Sequence, residues 1–456
     1  MNMEAFITGS SSFAGHTTVH VLGLVGNPSF AGHTTVHVVG LVAVAILGIC
    51  VLLFPRRSAV IPFLVMACFV SSAQRIVIAG LDFGFLRIMV LFGVMRIFLY
   101  GEHRHLARRP LDKAVILWVI SSIILHTLQV GTMSAFIFRL GFGFDAFGLY
   151  FVFRHLVRDW HDVDRIIHGC VWISIPIMLF FLLERSTGRN IFAVFGGVPA
   201  ITVVREGRLR CQGAFAHAIL AGCFWASLIP WVASLWWKSS RDKLFAIVGS
   251  GSMICIIFCC ASSTPVLGLL CAIVGAWGFR WRKRMRSIRI GVVVTLIVLH
   301  IIMKAPVWHL VSRVSAVGGS TGWHRYYLIN QTITFFSEWW LLGCSADAVA
   351  SWGIHAADIT NQYVLEGVRG GFLTLCLFCY VIVVAFREIG RLAAHLPTPS
   401  YRLILSWALG VSLFVHCTIF IGVSYFGQIW VVWYLLLAII GSLSIPQSAL
   451  KCIQRK

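Results

Sequence analysis

Long uncharged apolar runs, separated by short loops rich in arginine and lysine, leave this sequence few ways to fold. A helix crosses a bilayer when it holds about 20 mostly apolar residues. Runs near that length lie at 36–54, 58–73, 84–100, 113–131, 135–153, 166–183, 213–237, 244–261, 263–280, 290–303, 368–386, 403–423 and 427–443, of which 58–73 is the weakest. Charged residues are only 12% of the 456, about half the share of a soluble domain. The expected fold is an all-α polytopic membrane protein. It should have roughly 12–13 transmembrane helices and a long outer loop carrying short amphipathic helices. No segment between the spans is long enough to build a soluble core.

The basic loops fix the expected sides. Arg56 and Arg57 follow the first run, Arg104 to Lys113 the third, Arg154 to Arg165 the fifth, and Lys238 to Lys243 the seventh. "RWRKRMRSIR" at 280–289 follows the ninth, Arg387 to Arg402 the eleventh, and "KCIQRK" the last. All fall after odd-numbered runs, so all lie on one side, which the positive-inside rule makes cytoplasmic. The segments are then 1–35, 36–183, the loop 184–212, 213–303, the long loop 304–367, and 368–456 with a cytoplasmic tail. The net charge of +21 mostly records these loops. It gives no case for nucleic acid, because the basic residues are scattered between spans.

The first 35 residues lack a basic stretch followed by a compact apolar core, so no cleavable signal peptide is expected. They hold a direct repeat instead: "FAGHTTVHV" at 13–21 recurs at 30–38. Each copy sets histidines four apart, His16 with His20 and His33 with His37. That spacing chelates a metal on a helix, but β-branched neighbours disfavour helix, and duplication without chemistry is the favoured reading. Cysteines lie mostly inside apolar runs, so neither a zinc site nor a disulfide scaffold is expected. Cys211 and Cys344, both in loops, are the one candidate pair.

The loop 184–212 breaks the charge rule. It lies on the outer side, yet it carries Arg185, Arg189, Arg205, Arg208 and Arg210 against only Glu184 and Glu206. Topology does not explain it; an anionic ligand does, with lipid head groups as the plainer alternative. Arginine's planar donor fork matches phosphate oxygens. A helix expected to begin near Gly213 would add its N-terminal amides. In the second outer loop, Tyr326, Ile329, Ile333 and Phe336 have helical spacing, as an interfacial helix would. Trp339, Trp340 and Trp352 fit an interfacial belt. Arg325 and Asp358 stand out among its polar residues. Within the spans, Arg139 and Asp145 share one helix on roughly opposite faces, and a partner on another helix is the plainer account of either charge.

"LLERSTGRNIFAVFGG" followed by "REGRLRCQGAFAHAILAG" resembles the O-antigen ligase and polymerase superfamily. So does "GSTGWHRYYLI" followed by "DITNQYVLEGVRGGFLTL". The resemblance covers about 184–380 by motif. It implies a bacterial inner-membrane glycosyltransferase, active at the periplasmic face in O-antigen or exopolysaccharide assembly. The implied donor is an undecaprenyl-diphosphate-linked glycan, with a glycan or lipid acceptor and no metal or other cofactor. Arg205, Arg210 and Arg325 match the arginines that hold the diphosphate, with Arg208 beside them. The ligase branch carries a His-Asn pair ahead of a Gly-x-x-Gly/Thr/Tyr element. Here Asn361 and "GFLT" (371–374) keep the spacing, but the histidine position is Thr360, which moves weight to a polymerase or another exopolysaccharide enzyme.

The chemistry also stands without the resemblance. An acceptor hydroxyl loses a proton while the leaving lipid diphosphate gains charge, which arginines stabilise. Asp358 is the first candidate for the general base, His355 the second and His324 the third, with Asn361 in support and His217 read as a helix-packing residue. The alternative is a flippase or other transporter of the same lipid-linked glycan, for which charges lining a path and broken helices would speak.

Overall fold

The computed structural model describes residues 36–78, 81–313 and 321–444. The repeat histidines His16, His20 and His33 lie outside these. His37 precedes the first helix, its backbone N–H 2.8 Å from Gln74 Oε1. The helices are α1 (Val38–Leu53), α2 (Ile61–Phe69), α3 (Phe85–Leu99), α4 (Pro110–Val130), α5 (Met133–Leu156), α6 (Trp160–Thr187), α7 (Ala218–Ser234) and α8 (Ser240–Cys259). They continue with α9 (Ser263–Trp277), α10 (Met285–Ile302), α11 (Thr321–Thr334), α12 (Phe336–Trp339), α13 (Ala346–Ser351), α14 (Gln362–Ala394), α15 (Tyr401–Ile419) and α16 (Ile429–Leu443). Short hairpins pair β1 (Arg75–Ile78) with β2 (Leu81–Gly84), and β3 (Val204–Arg205) with β4 (Arg208–Leu209), both antiparallel.

Each expected run coincides with a helix, but not each helix is a span. Among the described residues, eight helical stretches are long and apolar enough to cross a membrane, with α9 and α10 joined as one stretch, Ser263–Ile302. α1 and α16 are shorter apolar helices. The run at 58–73 yields only the nine residues of α2, below the length a bilayer requires. Beyond it the chain turns extended at Val70 and enters the β1–β2 hairpin.

The core centres on α7 and α16, whose side chains are almost all buried. α8, α9 and α15 pack around α7, and α5 and α14 pack on α16. α10 has no buried residue. A second, small core lies under α11 to α13 and joins Trp339, Val349, Trp352, Ile359 and Val368. Trp339 and Trp352 are each 4% exposed there. Trp352 stacks on Phe335 with centroids 5.4 Å apart and donates to Glu338 Oε2 at 2.8 Å. These two tryptophans therefore serve a loop core and not an exposed belt; Trp340 stays exposed.

α14 is broken where that core meets it. Gly370 and Gly371 leave helical geometry, and Gly371 has φ +70°. A Cβ on Gly371 would stand 2.4 Å from the Leu341 carbonyl oxygen, so only glycine fits. The gap admits the segment after α12: Phe372 N–H donates to the Trp340 carbonyl, and Cys344 N–H to the Val368 carbonyl, each at 2.8 Å.

Asp145 and Arg139 diverge as expected. Asp145 pairs with Arg87 of α3 at 3.0 Å. Arg139 is 2% exposed, and its Cζ lies 5.4 Å from the Phe142 ring. Its Nε and Nη2 have no hydrogen-bond partner among the described residues. Cys211 and Cys344 are both free, as are Cys376 and Cys379, which share a Cys-x-x-Cys spacing on α14.

Candidate functional site

The arginine loop is built as a hairpin on a buried carboxylate. Glu206 (φ +51°) and Gly207 (φ +71°) form its tip, the two-residue geometry that matches strand twist. Arg205 and Arg208 stand opposite each other, and both are exposed. Arg205 lies 3.8 Å from Glu206, a contact worth little at this exposure. Arg210, beyond the second strand, is only 8% exposed. Its backbone N–H closes the hairpin on the Val203 carbonyl at 2.9 Å.

Glu184, in the last turn of α6, holds the base of this hairpin. Its carboxylate accepts from the backbone N–H of Gln212 (3.0 Å) and Gly213 (3.1 Å) and from the Thr202 hydroxyl (3.0 Å). Gly213 does not start a helix, as the sequence led us to expect. It has φ +57°, and a Cβ there would meet the Phe181 ring at 2.6 Å. The helix begins at Ala218, with His217 as its cap, accepting from Ile219 N–H at 3.2 Å. His217 is thus a capping and not a packing residue.

The Arg210 guanidinium makes no hydrogen bond or ion pair with the described residues, and its Nε is buried without a partner. Such a group costs stability unless something completes it. Burial, and secondarily the charge of Arg205, lowers its pKa from the ordinary value, but a guanidinium stays protonated. The next residue, Cys211, donates its N–H to the Cys259 carbonyl at 3.2 Å, at the end of α8.

Arg325 reaches the same α8–α9 turn from α11. It is 5% exposed and donates from Nη2 to Thr264 Oγ1 at 2.9 Å, in the first turn of α9. Gly422 makes room for it: a Cβ there would lie 3.1 Å from Arg325 Nε. Burial lowers this arginine's pKa too. Arg325 is thus held at this turn, beside the N-terminus of α9, whose amide dipole also favours an anion, while Arg210 is tied to the turn through the backbone bond of its neighbour Cys211.

His324, the neighbour of Arg325, places Nε2 3.0 Å from the Asp358 carbonyl oxygen. A carbonyl only accepts, so Nε2 carries the proton and Nδ1 the lone pair. Burial lowers the His324 pKa below its ordinary 6.5, and the Asp358 carbonyl and carboxylate offset part of that. His355 is exposed, its ring centroid 6.2 Å from that of His324. Asn361 caps α14, accepting from Tyr363 and Val364 N–H and donating to the Ile421 carbonyl. That work is structural. Beside Asn361 and Ile421 opens a mainly apolar cleft of about 610 Å³, lined by Val311, Ile329, Ile333, Phe336, Val364 and Phe372 among others.

Of the residues picked from sequence, Arg325 and, through Cys211, Arg210 are tied to one turn, and His324, His355 and Asp358 cluster. Arg205 and Arg208 remain on the exposed hairpin. Sequence reasoning missed Glu184, Thr264 and Gly422, which position the arginines. A Glu beside an arginine cluster was the available signal for the first; nothing local marked the others. It also missed Glu366 and Arg369 of α14, which lie near Arg139. Glu366 accepts from Trp118 Nε1 at 2.9 Å and Gln362 Nε2 at 2.7 Å.

The helices and their composition define a multi-pass α-helical membrane protein. Comparison with protein-family models and with curated proteins finds no match to the chain in either.

Proposed function

We propose that this protein is a membrane glycosyltransferase of the O-antigen ligase or polymerase type, which transfers a glycan from a polyprenyl diphosphate to a hydroxyl acceptor at the outer face of the bacterial inner membrane. The observation that carries this reading is the buried guanidinium of Arg210, with no partner among the described residues, in a loop whose next residue is bonded to the turn that anchors Arg325. A diphosphate supplies the acceptor oxygens that such donors lack. The apolar cleft that begins beside Asn361 suits the polyprenyl chain.

In the reaction the acceptor O–H bond breaks and its proton passes to His324 Nδ1. The acceptor oxygen bonds to the anomeric carbon. The bond from that carbon to the phosphate oxygen breaks, and the electron pair leaves with the lipid diphosphate. Arg210 and Arg325 stabilise the charge that develops there. The Asp358 carboxylate stabilises the imidazolium. Purified protein supplied with a polyprenyl-diphosphate oligosaccharide and an acceptor should release lipid diphosphate, and Arg210→Ala should not. Cells without the protein should accumulate the lipid-linked glycan.

One observation favours a transporter of the same lipid-linked glycan: α14 is broken at Gly370–Gly371 beside the buried charges Arg139, Glu366 and Arg369, as helices at transport sites are. Release of lipid diphosphate by purified protein in detergent, where no transport exists, decides for the enzyme.

A further inference from the structure

At the other end of α6 from Glu184 lies a small pocket that the proposed reaction does not use. It holds about 150 Å³ and is lined by Glu102, Arg109, Arg154, His155, Arg158 and Ser442 among others. It sits where α4 begins and α5 and α16 end. By the charge pattern of the loops, this is the end with the basic residues.

Its hydrogen bonds do not balance internally. Arg154 is fully engaged, with Asp112 (Nε to Oδ1 2.9 Å), the Ser442 hydroxyl (3.0 Å) and the Ala107 carbonyl (3.1 Å). Asp112 is equally engaged, since it also accepts from the Tyr150 hydroxyl at 2.7 Å and from Arg109 N–H at 2.8 Å. The Arg109 guanidinium has no hydrogen bond or ion pair with the described residues, and Arg158 has only a 3.3 Å bond from Nε to the His155 carbonyl. Glu102 Oε1 accepts from Arg96 Nη2 at 3.2 Å, while its buried Oε2 has no donor among the described residues. Among the described residues the pocket therefore offers two guanidinium groups with no hydrogen-bonded anion, although carboxylates lie near both, and one carboxylate oxygen with no donor.

We propose that this pocket binds a phosphodiester whose ester arm carries its own hydrogen-bond donor: the headgroup of a glycerol or ethanolamine phospholipid. The phosphate lies against Arg109 and Arg158, and the hydroxyl or ammonium of the arm reaches Glu102 Oε2. The volume suits a headgroup, being about half the low end of small-molecule pockets. Basic pockets between spans are the usual seats of phospholipid head groups.

Lipid retention by the purified full chain tests this. Protein stripped in detergent is offered phosphatidylglycerol, phosphatidylethanolamine, phosphatidic acid or inorganic phosphate, and bound lipid is read by native mass spectrometry and the melting temperature. Phosphatidylglycerol or phosphatidylethanolamine should bind at least tenfold tighter than phosphatidic acid, which has no donor arm; which of the two binds better names the source. Arg109→Gln with Arg158→Gln should cut that binding at least tenfold, and Glu102→Gln should erase the preference over phosphatidic acid. Should the double variant not fold, Arg158→Gln alone, on a half-buried side chain with one weak bond, should still weaken binding severalfold. Equal binding of phosphatidic acid, equal protection by millimolar phosphate, or unchanged retention in folded Arg variants each overturns the proposal.

Discussion

His324 Nε2 lies 3.0 Å from the main-chain carbonyl oxygen of Asp358, which fixes the imidazole tautomer and leaves Nδ1 as its basic atom. In the proposed reaction His324→Gln should lower turnover by about a hundredfold or more, and His355→Gln should do much less. Asp358→Asn should lower turnover by a smaller factor, because the carbonyl remains. If Asp358→Asn proves the more damaging, the carboxylate is the base. Steady-state release of lipid diphosphate measures all three.

Burial lowers the His324 pKa below 6.5, so the folded protein binds this proton less well than the unfolded chain. The acid limb of turnover should therefore fall below pH 6.5. The stability tied to this histidine is complete above that pH and is lost as the pH falls toward the lowered value. His324→Gln should remove both dependences, measured as a pH–rate profile and as melting temperature against pH.

Arg210 and Arg325 should not tolerate lysine. Arg210→Lys and Arg325→Lys keep the charge but lose the fork, and each should cost about a hundredfold or more in turnover, the scale for one lost oxyanion donor. Arg205→Lys and Arg208→Lys, on the exposed hairpin, should cost severalfold at most. Equal loss at all four positions would mean that the loop acts by net charge alone.

Glu184→Gln replaces an acceptor of three hydrogen bonds with a group that presents a donor to donors. In a site 1% exposed the cost should be about 1–3 kcal/mol. Affinity for a lipid-diphosphate analogue should fall although Glu184 would not touch it. Thermal melts and analogue titration separate the two effects.

Gly371→Ala should destabilise the protein by at least about 1–3 kcal/mol, since it meets both a φ of +70° and the Leu341 carbonyl. Gly390→Ala, on the same helix with open space around it, should be neutral or slightly stabilising.

Reporters fused after Arg189 and after Asp347 should be active outside the cytoplasm. Cytoplasmic activity at both points would make the arginine loop ordinary positive-inside charge and remove the basis of the site.

Helix existence was legible because apolar runs of span length have only one folding solution in lipid. What was not legible is where a run stops. The run at 58–73 was the weakest of the thirteen, but nothing in it marked Val70, where extended backbone ends α2 at nine residues. The hairpin at Glu206–Gly207 was hidden because its strands are two residues each, too short for an alternating pattern. The diphosphate candidates could be chosen from charge alone. Their support could not, because Thr264 and Gly422 stand 61 and 97 residues from Arg325 in the chain and meet it only through packing. Asn361 shows the converse: its place in a motif drew attention to a residue that the structure uses as a helix cap.

The clamp by Glu184 makes α6 a ruler as well as a span. Its 28 residues form a rod about 42 Å long, starting at the capped Asp159 end and finishing at the hairpin base. Adding or deleting one residue inside it would turn Glu184 by about 100° around the rod axis and swing the carboxylate away from Gln212 and Gly213. The rod's residue count and the hairpin's seat are therefore in phase. Insertions at the exposed hairpin tip should pass almost unnoticed, while the same change buried in apolar sequence far from any ligand should silence the site.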